Sequence, residues 1–305
     1  MTAGSTGRVA AVGSLLGQRP GGAGLTALLA VLAGIALSNT TVALQHHWLP
    51  TASAADTAFA AGAAALGLWL VWFGLRQGEM RASVAGYIGG SLIWIGVFEW
   101  TWAAFGNWLN IPPLQDNGMV IFGPGLLLVQ ATSLIFVALL CVYGTNKDTR
   151  CRMFMWFHRT LRLQPGKLTP GYRRQFAKIT ATETIFLIWF VYVVSLTIND
   201  PRLIGYASPA APVIYVLLAI WSVYLMARLF KLRQAAAAFR YAIPTGYIVS
   251  IPIDALAQRG LYPAFWVQPL KYPLLMTAML VLFAASLWLM LRAEPPLSQG
   301  PSNPV

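Results

Sequence analysis

Few residues in this chain carry chemistry, and most of them interrupt long apolar runs. Glu99 stands near the end of the apolar stretch Gly86–Trp102. His46 and His47 follow one run, Asp200 closes another within Asn199-Asp200-Pro201-Arg202, and Asp116 lies in a linker. Gln130 sits inside a further run, and Asn39 sits at the polar end of the first. Asp254 recurs at helical spacing with Tyr247, Ser250 and Gln258. An ionised group in hydrocarbon costs about 2.5 kcal/mol or more, so an intramembrane acid is a functional candidate by default. Glu99, Asp200, Asp254, Gln130 and Asn39 are therefore read as buried polar groups along a substrate path.

Two imidazoles with nearby carboxylates suit a divalent metal or a proton relay, which makes His46 and His47 the candidate metal ligands. Adjacent histidines point in different directions on a helix. The competing reading puts both in the headgroup zone and makes Asp200 a helix-end cap. For Glu99 the competing reading is a neutral acid hydrogen-bonded inside a bundle.

The elements that must hold these residues are membrane helices. The chain has 305 residues, 57% hydrophobic and only 10% charged, which removes it from the soluble globular class. Apolar runs of spanning length cover about Leu25–Leu44, Thr57–Leu75, Gly86–Trp102, Met119–Tyr143, Thr182–Ile198, Pro212–Phe230 and Tyr272–Leu291. The segment 244–258 is apolar but short and interrupted by Pro244 and Pro252. The expectation is an all-α polytopic transmembrane bundle of seven spans, or eight if 244–258 crosses. In the third span Gly89, Gly96, Glu99, Ala103 and Gly106 fall on one face of an ideal α-helix, where small residues admit a close neighbour.

The net charge of +12 sits in the loops, so it sets orientation and touches anionic headgroups, and nucleic acid is not an expected partner. Residues 145–180 form a basic loop, and the mixed Arg and aromatic stretch Arg150–Arg162 suits a helix lying flat on anionic lipid. By the positive-inside rule this loop, a flexible tail over 1–21 and the turn Arg76–Arg81 are cytoplasmic, in what is expected to be a bacterial cytoplasmic membrane. A Pro-rich tail covers 293–305. Cys141 and Cys151 lack metal-site spacing and read as reduced thiols.

Several cofactors are argued against. Retinal needs a Lys deep in the last span, and Lys271 only borders it. A b-type haem takes His from facing helices at membrane depth, whereas two of the three His are adjacent and His158 lies in the basic loop. No nucleotide-binding motif is present, so transport would be passive, ion-coupled or driven by a partner.

Glu99-Trp100, the aromatic linker with Trp108, and Pro124-Gly125-Leu126-Leu127-Leu128-Val129-Gln130 resemble the span 3 to span 4 region of the A subunit of copper membrane monooxygenases. In that family a Gly-Glu-Trp precedes an aromatic stretch and a Pro-Gly followed by an Asp. Phe98 stands here in place of the Gly and Gln130 in place of the Asp, and the basic loop departs from the pattern. The resemblance covers a few dozen residues and would imply a membrane subunit of a metal-dependent oxygenase assembly. The residues themselves favour a small-solute transporter or channel, or a membrane subunit of a larger complex. A membrane-embedded metal-dependent enzyme ranks behind both.

Overall fold

The computed structural model describes residues 21–116, 119–145, 162 and 174–293. The Arg150–Arg162 stretch (Arg162 apart), most of the basic loop, Cys151 and nearly all of both tails lie outside the described residues. The fold is an all-α bundle. Its helices are α1 (Gly22–Trp48), α2 (Ala54–Gly74), α3 (Glu79–Ile93), a π-helical turn (Trp94–Glu99), α4 (Trp100–Trp108), α5 (Pro124–Ala131), α6 (Ser133–Thr145), α7 (Phe176–Asn199), α8 (Ala210–Leu229), α9 (Ala235–Gln258) and α10 (Pro273–Arg292).

Six of these units are long and apolar enough to cross a membrane: α1, α2, the continuous α3–π–α4 rod, α7, α8 and α10. The pair α5–α6, bent by 43° at Thr132, makes a seventh if taken as one span. Leu134, Val142, Val216, Ile220, Leu274 and Val281 all point outward, exposed. A soluble surface does not tolerate so continuous an apolar cover, whereas lipid requires one. The chain is a multi-pass membrane protein.

Two details depart from the sequence reading. Met119–Phe122 is not helical. It is strand β2, paired antiparallel with β1 (Leu114–Asp116), Gln115 opposite Val120, and the helix begins only at Pro124. A proline is favoured at the first helical position because its missing N–H would have no partner there anyway. The second departure is α9. It continues through Pro244 and Pro252 for 24 residues, where the sequence implied breaks. Thr245 Oγ1 donates to the Tyr241 carbonyl at 2.8 Å and Ser250 Oγ to the Tyr247 carbonyl at 2.9 Å, next to the carbonyls the prolines release. Such hydroxyls are how a buried helix tolerates proline.

Contacts show that α9 runs the full length of the bundle. Gly24, at the start of α1, lies against the backbone of Leu229, the last residue of α8, and of Phe230, in the short link to α9. Gly246 meets Val31 and Ile35 midway along α1. Ala257, near the end of α9, clusters with Ala36 and Trp266. Thr40 bonds the sulfur of Met276 at 3.0 Å, so α10 starts beside the end of α1 and returns. These contacts lay α9 alongside α1 in the same direction, although its own apolarity does not mark it as a span. More than half of α9 is buried, so it needs less apolar surface than a lipid-facing helix.

Small residues set the spacing of the central helices. A Cβ added at Gly67 would lie 2.7 Å from the Gly89 carbonyl, and one at Gly96 would strike the backbone of Ala60 and Ala64. Gly86 and Gly90 likewise admit Ala177 and Ala181 of α7. With little hydrophobic drive between helices in lipid, this backbone-to-backbone packing is the main source of cohesion.

Candidate functional site

Glu99 ends the π-helical turn, and that turn decides where it points. Gly89 and Gly96 pack on α2, as an apolar small-residue face should. Glu99 does not share that face. The wider π repeat rotates it away from α2 toward α7 and α1, which corrects the common face drawn from an ideal α-helix. The indole Nε1 of Trp94, five residues earlier, donates to Glu99 Oε2 at 2.8 Å. Tyr192 of α7 donates its hydroxyl to the same carboxylate, 3.1 Å from Oε1 and 3.0 Å from Oε2.

Aromatic rings hold these donors. Trp94 is only 2% exposed. It stacks on Tyr192 with ring centroids 5.5 Å apart and on Phe98 at 5.5 Å, and meets Trp102 edge-on at 5.4 Å. Offset and edge-to-face ring pairs each add about 0.5–1.5 kcal/mol beyond burial, enough to fix the rotamers that aim the donors. A cavity of about 20 Å³ adjoins the carboxylate, lined by Ser38, Asn39 and Val42 of α1, Trp94, Glu99, Tyr192, and Tyr247 of α9 together with Ile35 and Ile188. That volume accommodates about one water molecule.

Of the residues singled out from the sequence, Glu99 and Asn39 meet at this cavity. Asp254 lies two turns above Tyr247 on the same face of α9, half-buried and within electrostatic reach of Tyr192. His46, two turns above Asn39 on α1, is exposed and within electrostatic reach of Glu99. Ser250 is buried and Gln258 exposed, so the polar face of α9 climbs from the cavity to the surface at the Trp48 end.

Asp200 and Gln130 belong elsewhere. Asp200 follows the last residue of α7 and is fully buried, receiving Arg202 Nη2 at 2.8 Å, Arg202 Nε at 3.0 Å and Gln130 Nε2 at 2.8 Å. Arg202 Nη2 closes the ring by donating to Gln130 Oε1 at 3.1 Å. The hydrogen bonds from Arg202 hold the Asp200 carboxyl down at about 2. This triad ties the end of α7 to α5. His47 is exposed. Among the described residues no three His, Cys, Asp or Glu side chains converge as a metal site.

The sequence reading passed over Trp94 and Tyr192. Trp94 and Glu99 are five apart, a spacing that an α-helical template places on different faces. Tyr192 sits in an unbroken apolar run with no local signal, 93 residues from its partner.

The chain matches no protein-family model, no characterised protein and no solved structure. The likeness to the copper monooxygenase A subunit gains no support from these comparisons.

Proposed function

We propose that this protein is a small-solute transporter or channel whose polar site is Glu99, entered from the Trp48 end. The observation that carries this reading is a carboxylate inside a membrane bundle beside a small cavity that polar side chains line in part. The cavity collects side chains from four traverses: Ser38 and Asn39, Glu99, Tyr192 and Tyr247. An acid at such depth is costly to keep and marks a path for ions or polar solutes. Above the cavity, Asp254 and Gln258 continue a polar face to the surface. By the positive-inside rule the Gly22 end is cytoplasmic, so entry is from the opposite face.

The test is flux into proteoliposomes holding the purified full-length protein, followed by light scattering with glycerol, urea and alkali chlorides as probes. Permeation above protein-free vesicles that falls about ten- to a hundredfold in Glu99→Gln, as loss of a 1.5–3 kcal/mol charge-assisted bond implies, supports the reading. No probe permeating, or a variant as active as the parent, overturns it.

A second reading, a membrane subunit of a larger complex, is favoured by α2. Ala54, Ala58 and Gly62 recur at four-residue spacing on its exposed side, and a Cβ at Gly62 would touch nothing. Such a stripe suits a close-packed neighbouring helix. Co-purification of a second membrane chain in mild detergent, lost in Gly62→Leu, would favour it over the first.

A further inference from the structure

We propose that the cavity beside Glu99 binds one dehydrated alkali cation of the sodium class. Glu99 would be its anionic ligand, with Ser38, Asn39, Tyr192 and Tyr247 as neutral oxygen ligands. The proposal rests on reading this cavity as the functional site, and not on solute movement through it.

Four observations converge. The first is the ligand set. Five of the lining side chains carry oxygen, and among the described residues no Lys, Arg or His lines the cavity. Hard cations take oxygen ligands of this kind, and a nitrogen- or sulfur-seeking metal does not. The second is charge. One carboxylate balances one positive charge, while a divalent ion would leave an uncompensated charge inside an apolar bundle.

The third is size. About 20 Å³ admits a single water-sized body. A bare alkali ion fits, but an ion with its water shell or an organic ammonium does not. The fourth is unspent hydrogen-bonding capacity. Ser38 and Asn39 are half-buried against the cavity, and neither side chain has a hydrogen-bond partner among the described residues. Among the described residues Glu99 receives only Trp94 and Tyr192, and an ionised carboxylate offers about four acceptor positions. The π-helical turn that aims Glu99 here is a rare form that concentrates at functional sites.

Access of dicyclohexylcarbodiimide to Glu99 tests the proposal. The full-length protein in detergent is labelled at fixed pH and ionic strength, with sodium chloride replacing choline chloride, and the Glu99 adduct is quantified by peptide mass spectrometry. Sodium should slow labelling by more than about tenfold, the effect of site occupancy well above its dissociation constant. Asn39→Ala and Ser38→Ala should label at the parent rate without sodium and require more sodium for protection. That parent rate also reports that the variants fold. Equal labelling in sodium, lithium, potassium and choline overturns the proposal, as does protection by calcium at lower concentration than sodium. Protection without flux in proteoliposomes would remove the transport reading and leave the ion site. Flux without protection would do the reverse.

Discussion

Trp94 and Glu99 are bonded to each other along one rod, indole to carboxylate at 2.8 Å, because the backbone between them is wound as a π-helix. In an α-helix these two side chains would diverge. The turn therefore both supplies the carboxylate with a donor and turns it toward Tyr192 and Asn39. Local winding and the polar site are one feature.

Removing either donor should leave the carboxylate under-bonded. Trp94→Phe and Tyr192→Phe are each expected to destabilise the protein by about 1–3 kcal/mol, the cost of a lost hydrogen bond to a buried charged group. Thermal unfolding in detergent measures this. In the Glu99→Gln background each loss should shrink, because the partners are coupled. Equal losses in both backgrounds would show that the bonds contribute nothing specific to the carboxylate.

The helix spacing makes a paired prediction about glycine. Gly96→Ala drives a Cβ into the Ala60 backbone and should cost about 1–3 kcal/mol, the range for overpacking a rigid contact. Gly62→Ala meets open space and should be neutral or gain about 0.5–1 kcal/mol from lower backbone entropy in the unfolded chain. Unfolding in a denaturing detergent titration ranks the two variants.

Asp200 gives a pH dependence with a defined sign. Its folded carboxyl is depressed to about 2 from an ordinary 3.8, chiefly by hydrogen bonds from Arg202. A depressed acid contributes stability that is fully present above its unfolded value and is lost as pH falls through the folded value. Stability should therefore decline between about pH 4 and pH 2, and Asp200→Asn should flatten that part of the profile. Melting temperature against pH for parent and variant is the measurement, and coincident slopes would contradict the assignment.

At the opposite end, Arg240 of α9 donates to Glu79 and to Ser83 of α3 and lies over the Phe176 ring at 4.6 Å. Both partners are largely shielded, with side chains 22% and 33% exposed. Arg240→Ala should cost more than Glu79→Gln, because it removes the ring contact as well as the ion pair. A double-mutant cycle on thermal stability should return a coupling of about 1 kcal/mol between the two, and a value near zero would reduce the pair to surface decoration.

The course of α9 carries a topological prediction. If α9 crosses as its packing along α1 implies, the chain makes eight traverses and Gly22 and Arg292 lie at one end of the bundle. Reporter domains fused at either terminus should fall on the same side of the membrane. Opposite sides would mean that α9 does not cross.

The apolar runs alone determined that lipid is the solvent and helix the form of the chain. Hydrocarbon offers the backbone no partner, so a long apolar run has to satisfy its own hydrogen bonds. Glu99 was conspicuous for the same reason, as one charge where hydropathy forbids it. The direction Glu99 faces was decided only in three dimensions. The π-turn broke the phase on which the face assignment depended, and Tyr192 reached it from another helix. Asp200 and Gln130 looked like members of the same path until Arg202 closed them into a separate triad. The unbroken course of α9 was equally hidden, because a helix enclosed by its neighbours can carry prolines and polar groups that an apolarity count penalises. Composition reports what surrounds a segment on average, whereas partners depend on the rotation and depth of each helix, and packing alone sets those.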